Sequence, residues 1–192
     1  MRRFDSSTSH NGRCALKGLL VRASPLKKIM SGGQTGVDRG ALEAALRSGF
    51  PCGGFCPADR QAEDGPVPQR YPLTPLPGGG YPERTRENVL RSDGTVILFD
   101  GHLTNGHLTG GTRLTRICCQ KTRRPLLIID RARASEADAV AAILEFIKAN
   151  GICILNVAGP RASGWPEGFD YALNVISRVL ASGSDARDNH AP

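Results

Sequence analysis

Two kinds of apolar run alternate along the chain from residue 26 to residue 181. "TVILF" at 95–99, "PLLIID" at 125–130 and "ICILNV" at 152–157 are short, continuous and rich in β-branched residues. Such runs predict strands buried on both faces. Others repeat with a helical period. Val140, Ile143, Leu144 and Ile147 fall at i, i+3, i+4 and i+7 in 135–149, and Phe169, Ala172, Leu173, Ile176 and Leu180 share one face of 166–181. Weaker versions of both patterns predict strands over 26–31 and 51–55, and helices over 36–48, 82–92 and 111–122. Ser135 is placed to cap its helix, and Gly49 and Asn150–Gly151 end theirs. Strands that are apolar throughout, each followed by a helix, imply a doubly wound parallel sheet in a three-layer α/β/α sandwich.

One segment breaks the alternation. "PADRQAEDGPVPQRYPLTPLPGGG" at 57–80 has no apolar period and reads as a long Pro/Gly-rich loop, the kind that usually carries function. Residues 1–24 are polar and irregular and read as a disordered extension, and residues 182–192 as a disordered tail. A single ligand-binding domain is therefore expected over residues 25–181.

In parallel sheets ligands bind beyond the carboxyl ends of the strands, so the residues just after each strand are the candidates. "SGGQTG" at 31–36 follows the first strand and opens a helix. Gly32 and Gly33 allow close approach to the backbone, and the helix start favours an anion. Ser31, Gln34 and Thr35 add neutral donors. Asp38 either complements the helix dipole or accepts from ligand N–H or O–H groups. The loop has no lysine of the P-loop kind, which disfavours ATP hydrolysis in that manner. "TGGT" at 109–112 is a second glycine-rich helix start, bringing in Gly110, Gly111 and Thr112. Both turns are expected to face one pocket. Gly159 and the buried-strand residue Asn156 follow in "LNVAGPR"; Asn156 serves either the site or a structural tie. Arg84 and Asn88 lie four apart on the helix after the glycine run, facing either a phosphate or solvent.

Charge narrows the partners less than it first suggests. The formal net charge is +7, but residues 1–28 hold seven Lys/Arg against Asp5 alone. The remaining residues are nearly neutral, so specific nucleic-acid binding is not expected. No run approaches the ~20 apolar residues that span a bilayer. The six cysteines lack paired zinc spacing and read as free thiols of a reducing, cytoplasmic setting. His102 and His107 have no ligand-spaced partner, so no metal site is expected. Neither a nucleophile–base set nor paired carboxylates stand out, and no catalytic residue is assigned.

Taken in order, "SGGQTGVDRGAL", "ADRQAEDG", "YPERTRENV", "SDGTVIL", "TGGTRLT" and "LNVAGPR" resemble a family of proposed molybdenum cofactor carriers. That family lies within the Rossmann-like group that includes the lysine decarboxylase-like, cytokinin-activating proteins. The resemblance implies a Rossmann-like fold and molybdenum cofactor (molybdopterin) as bound cargo, shielded and passed to molybdoenzymes by a homo-oligomer, with tetramers the usual suggestion. It implies no protein ligand to the metal, which the pterin's own dithiolene holds. The phosphate would sit in the first glycine loop or the "TGGT" turn, with Asp38, Asn88 and Asn156 toward the pterin edge. Two departures stand out. Hydrolytic relatives carry a Glu where "TGGTRLT" has Thr115, which argues against phosphoribohydrolase activity. Carriers often have an acid where "YPLTPLP" has Pro75. The alternatives are a nucleotide-sensing module and a nucleoside-monophosphate phosphoribohydrolase-like enzyme.

Overall fold

The structure, a computed structural model, describes residues 26–188, with side chains through residue 182. The expectations for residues 1–24 and 189–192 lie outside the described residues.

Six parallel strands form the central sheet. They are β1 (Lys28–Met30), β2 (Cys52–Cys56), β5 (Leu73–Pro75), β6 (Gly94–Phe99), β7 (Leu126–Asp130) and β8 (Ile154–Ala158). Their order across the sheet is β5-β2-β1-β8-β6-β7. The last strand in sequence is thus inserted between β1 and β6, pairing Ile29 with Leu155 and Val96 with Val157. Helices α1 (Val37–Arg47), α5 (Glu136–Asn150) and α6 (Gly168–Asp188) cover one face, and α2 (Tyr81–Leu90) and α4 (Gly110–Thr122) the other. This is the expected Rossmann-like three-layer fold.

Side-chain parity explains the layers. Val96 and Leu98 of β6 and Leu155 and Val157 of β8 point into the core with Ala41, Ala44, Ile143, Ile147, Val175 and Ile176. The intervening Thr95 and Asn156 lie on the other face. They are paired across the strands, and Asn156 Nδ2 donates to Thr95 Oγ1 at 3.2 Å. Ser135 caps α5 as expected, accepting from Asp138 N at 3.2 Å.

Three elements depart from the sequence reading. The 57–80 segment is not a structureless loop. It folds as a hairpin, β3 (Gln61–Ala62) with β4 (Gly65–Pro66), and then supplies edge strand β5. Val67, Tyr71 and Leu73 bury themselves with Leu42, Cys56 and Ala62 in a second, smaller core. The Arg60 guanidinium ties the segment together by donating to the carbonyls of Val67, Pro68, Tyr71 and Leu73. A four-residue helix, α3 (Gly101–Thr104), follows β6 where a loop was expected; the Asp100 side chain caps it, accepting from His102 N at 2.9 Å. Finally, α6 continues to Asp188, past the expected end at 181, because nothing in "ASGSDARD" forces a stop. No helix among the described residues is long and apolar enough to cross a membrane.

Candidate functional site

Where the chain order reverses across the sheet, the carboxyl ends of β1 and β8 open into a cavity of about 680 Å³. Four segments wall it: the loop after β1, the start of α2, the start of α4 and the loop after β8. The first glycine-rich turn reaches it through Gln34 and the second through Thr109–Thr112.

Eight of the sequence-predicted residues line this cavity: Gln34, Asp38, Arg84, Gly110, Gly111, Thr112, Thr115 and Gly159. The other six, Ser31, Gly32, Gly33, Thr35, Asn88 and Asn156, do not, and each has an internal task instead. Ser31 is fully buried and its Oγ donates to Val157 O at 2.7 Å, tying β1 to β8. Gly32 leaves room for a guanidinium, since a Cβ there would lie 1.3 Å from Arg84 Nη1. Gly33 has φ of 75°, and a Cβ would lie 2.2 Å from Leu73 Cδ1, so the 57–80 segment occupies the space a ligand was expected to fill. Thr35 Oγ1 bonds Glu63 and accepts from Ala162 N at 3.0 Å. Asn88 imitates a strand partner: its Oδ1 accepts from Phe55 N at 2.8 Å and its Nδ2 donates to Phe55 O at 2.9 Å. Asn156 is spent on Thr95, beneath α4.

An ion pair forms the floor. Arg84 Nη1 lies 3.2 Å from Asp38 Oδ2, with the two side chains only 13% and 5% exposed. Asp38 Oδ2 also accepts from Gln34 N at 3.3 Å. Burial pushes the Asp38 carboxyl above its ordinary pKa, and the Arg84 charge and the Gln34 N–H only partly oppose this. Arg84 Nε is buried without a hydrogen-bond partner.

The two helix starts differ in what they leave free. In the first loop, Gln34 N donates to Asp38, Thr35 N to Gln34 Oε1 and Val37 N to Pro160 O. Those N–H groups are already used. At α4, Thr109 makes no side-chain cap and the first turn holds no acid. Its helix start opens into the cavity with the donors and dipole that suit an anion. Thr115 Oγ1 turns back to Gly111 O at 3.0 Å.

Sequence reasoning missed Tyr81, Pro82, Thr85, Thr109 and Leu114, and Ala158, Pro160, Arg161, Ser163 and Gly164 of the loop after β8. The signal for most was proximity: Tyr81 follows the glycine run, Thr109 precedes Gly110, and Pro160–Arg161 continue "AGPR". Among the described residues, no three His, Cys, Asp or Glu side chains are grouped to hold a metal ion.

Fold and site together define a three-layer α/β protein with a cavity at a topological switch point. The chain belongs to the circularly permutated YpsA SLOG family, whose model matches residues 29–180. A crystal structure from Syntrophus aciditrophicus SB, named "Putative molybdenum carrier protein", is 40% identical. It superposes with a TM-score of 0.78, covering 83% of this chain and 98% of that one. The resemblance seen in the motifs is thereby borne out. No curated protein matches the chain significantly.

Proposed function

We propose that the protein binds molybdenum cofactor as cargo, shields it and delivers it without turning it over. The observation that carries this reading is the uncapped, acid-free start of α4 opening into the same cavity as the buried Asp38–Arg84 pair. A molybdopterin phosphate suits the α4 N–H groups, and the pterin's N–H edge suits the Asp38 carboxylate. A cavity of about 680 Å³ is of the size that encloses a small ligand. The name of the 40%-identical neighbour supports molybdenum as part of the cargo. In this reading the protein acts in the cytoplasm as a homo-oligomer, a tetramer as the family resemblance implies, and its cargo goes to molybdoenzymes.

Native mass spectrometry of protein purified anaerobically from its own cells tests the assignment. A bound mass matching molybdopterin, with or without molybdenum, is the expected result. A nucleotide in its place would move the reading to a sensing module.

One observation favours a second reading. Asp38 places in the cavity a carboxyl that burial raises above its ordinary pKa, the type of group that N-glycosidic cleavage of a nucleoside monophosphate uses. A base-release assay on AMP separates the two. Turnover lost in Asp38→Asn would establish the hydrolase.

A further inference from the structure

The tip of the β3–β4 hairpin reaches across the first glycine loop and grips the loop after β8. Glu63, at the turn, is the hub. Its Oε1 accepts from Ser163 N at 3.2 Å and bonds Thr35 Oγ1. Its Oε2 accepts from Ser163 Oγ at 2.6 Å and lies 3.3 Å from Arg161 Nε. Its backbone N donates to Gln34 Oε1 at 2.9 Å. One residue thus joins three segments that are remote in sequence. The next residue, Asp64, takes a bidentate contact from Arg39 at 2.6 and 2.7 Å, and Arg39 Nε donates to Gly33 O at 3.1 Å. The two acids of the turn therefore straddle Gly33–Thr35.

Three of Glu63's partners, Gln34, Arg161 and Ser163, line the cavity, whereas Glu63 does not. A solvated loop acid has no need of four donors. Its side chain is 18% exposed, held in a fixed orientation by groups that would otherwise be free to move apart. We infer that Glu63 is a positioning residue for the cavity: it fixes the Arg161–Gly164 wall against Gln34 and so sets the shape that receives the ligand.

This rests on the cavity being the cargo site, as proposed above. The carboxylate meets a single cation, Arg161, with Asp64 beside it already paired to Arg39. Burial disfavours the charge on Glu63, but the Ser163 and Thr35 donors and Arg161 outweigh it and hold the carboxyl below its ordinary pKa. The carboxylate is therefore charged at neutral pH, with all four of its donors satisfied.

The test uses the full chain and the variants Glu63→Ala and Glu63→Gln. Hydrogen–deuterium exchange on ligand-free protein comes first. In Glu63→Ala, peptides covering 159–165 should exchange at least tenfold faster, while β6 and β7 peptides stay unchanged. Unchanged exchange at 159–165 overturns the clamp whatever the cargo proves to be. Calorimetry with molybdopterin as probe comes second. Affinity should fall about tenfold in Glu63→Ala and be largely restored in Glu63→Gln, which keeps an acceptor oxygen. Faster loop exchange with wild-type affinity in Glu63→Ala would make the clamp structural only and overturn the positioning role. Wild-type protein that fails to bind molybdopterin defeats the cargo assignment instead, and the exchange arm still decides the clamp. Should Glu63→Ala not fold, Ser163→Ala replaces it. That change removes one of the four contacts, the Oγ donation to Glu63 Oε2, and leaves the Ser163 N–H in place. Exchange at 159–165 should still quicken, and unchanged exchange there would refute the clamp.

Discussion

Gly32→Ala should destabilise the protein by a mechanism that pH can expose. Gly32 does not have a positive φ, so alanine is acceptable to the backbone. The obstacle is Arg84: the new Cβ would sit 1.3 Å from Nη1 and 2.3 Å from Cζ. A guanidinium at the end of a flexible chain can swing into the cavity and recover water. Asp38, itself 2.9 Å from the new Cβ, stays buried without its cation, left with the neutral Gln34 and Ser31 donors. At the 3.2 Å separation of the pair, the attraction lost is about 5 kcal/mol at an effective dielectric of 20. Rehydration of Arg84 returns part of it. Proton uptake by Asp38 sets a ceiling, because neutralising an ordinary aspartate at pH 7 costs about 4 kcal/mol. A loss of about 3 kcal/mol at pH 7 is expected.

The sign of the pH dependence follows from the proton balance. Asp38 is already raised above its unfolded pKa, and losing Arg84 raises it further. In the window between the wild-type and variant folded values, the folded variant binds more protons than the folded wild type. The cost of Gly32→Ala must then shrink as pH falls, by at most about 1.4 kcal/mol per pH unit for one proton. Urea unfolding of both proteins between pH 7 and pH 5 measures it. A cost that does not change with pH, or one equally large in an Asp38→Asn background, would refute the argument.

Other outcomes follow from the same geometry. Asn88→Ala should cost about 1–3 kcal/mol in urea unfolding, because it strands the Phe55 N–H and C=O, yet leave molybdopterin affinity per folded molecule unchanged. Gly33→Val should unfold the 57–80 segment in a thermal melt and by proteolysis rather than act on ligand binding alone. It would combine a φ of 75° with a clash against Leu73. Deleting residues 1–24 should remove most non-specific DNA affinity at low salt in a gel-shift assay without changing the melting temperature, since most of the excess charge leaves with them.

How far the sequence could be read depended on what kind of fact was sought. The sheet was legible because "TVILF" and "ICILNV" tolerate no exposed face, and the helices because Val140, Ile143 and Ile147 repeat at a period no strand supports. Strand β5 was hidden: "LTP" is three residues with a proline, and only the burial of Tyr71 and Leu73 against Leu42 makes it a strand. At the site, residue type located the right loops but not the direction of each side chain. A serine after a strand is equally suited to a ligand and to a carbonyl 126 residues away, and Ser31 took the carbonyl. Close approach of a ligand was read into Gly32 and Gly33, but what approaches them is Arg84 and Leu73, the protein's own groups. Glu63 was passed over for a related reason: its partners come from positions 35, 161 and 163, a convergence that no local pattern encodes.

The fate of the two glycine turns bears on what the cavity can hold. Among the described residues, α1, α2, α5 and α6 each carry an acid in the first turn: Asp38, Glu83, Glu136 with Asp138, and Asp170. Those charges complement the positive ends of their helices. In α4 that turn holds only glycine, threonine, arginine and leucine, and no side chain caps it. An acid there would compete with an anionic ligand, so its absence is compatible with binding one and offers no benefit to stability. The residue one turn further, Thr115, is neutral and turned back on Gly111 O. A carboxylate at that position would repel an anion held at this helix start, a cost that a hydrolase recovers as transition-state stabilisation and a carrier never would. The carboxylate that lines the cavity is instead Asp38, held by Arg84 on its floor, where it can accept from a ligand's N–H groups. A helix start that favours an anion and a carboxylate that accepts N–H groups, lining one cavity, suit a ligand that carries both a phosphate and an N–H edge.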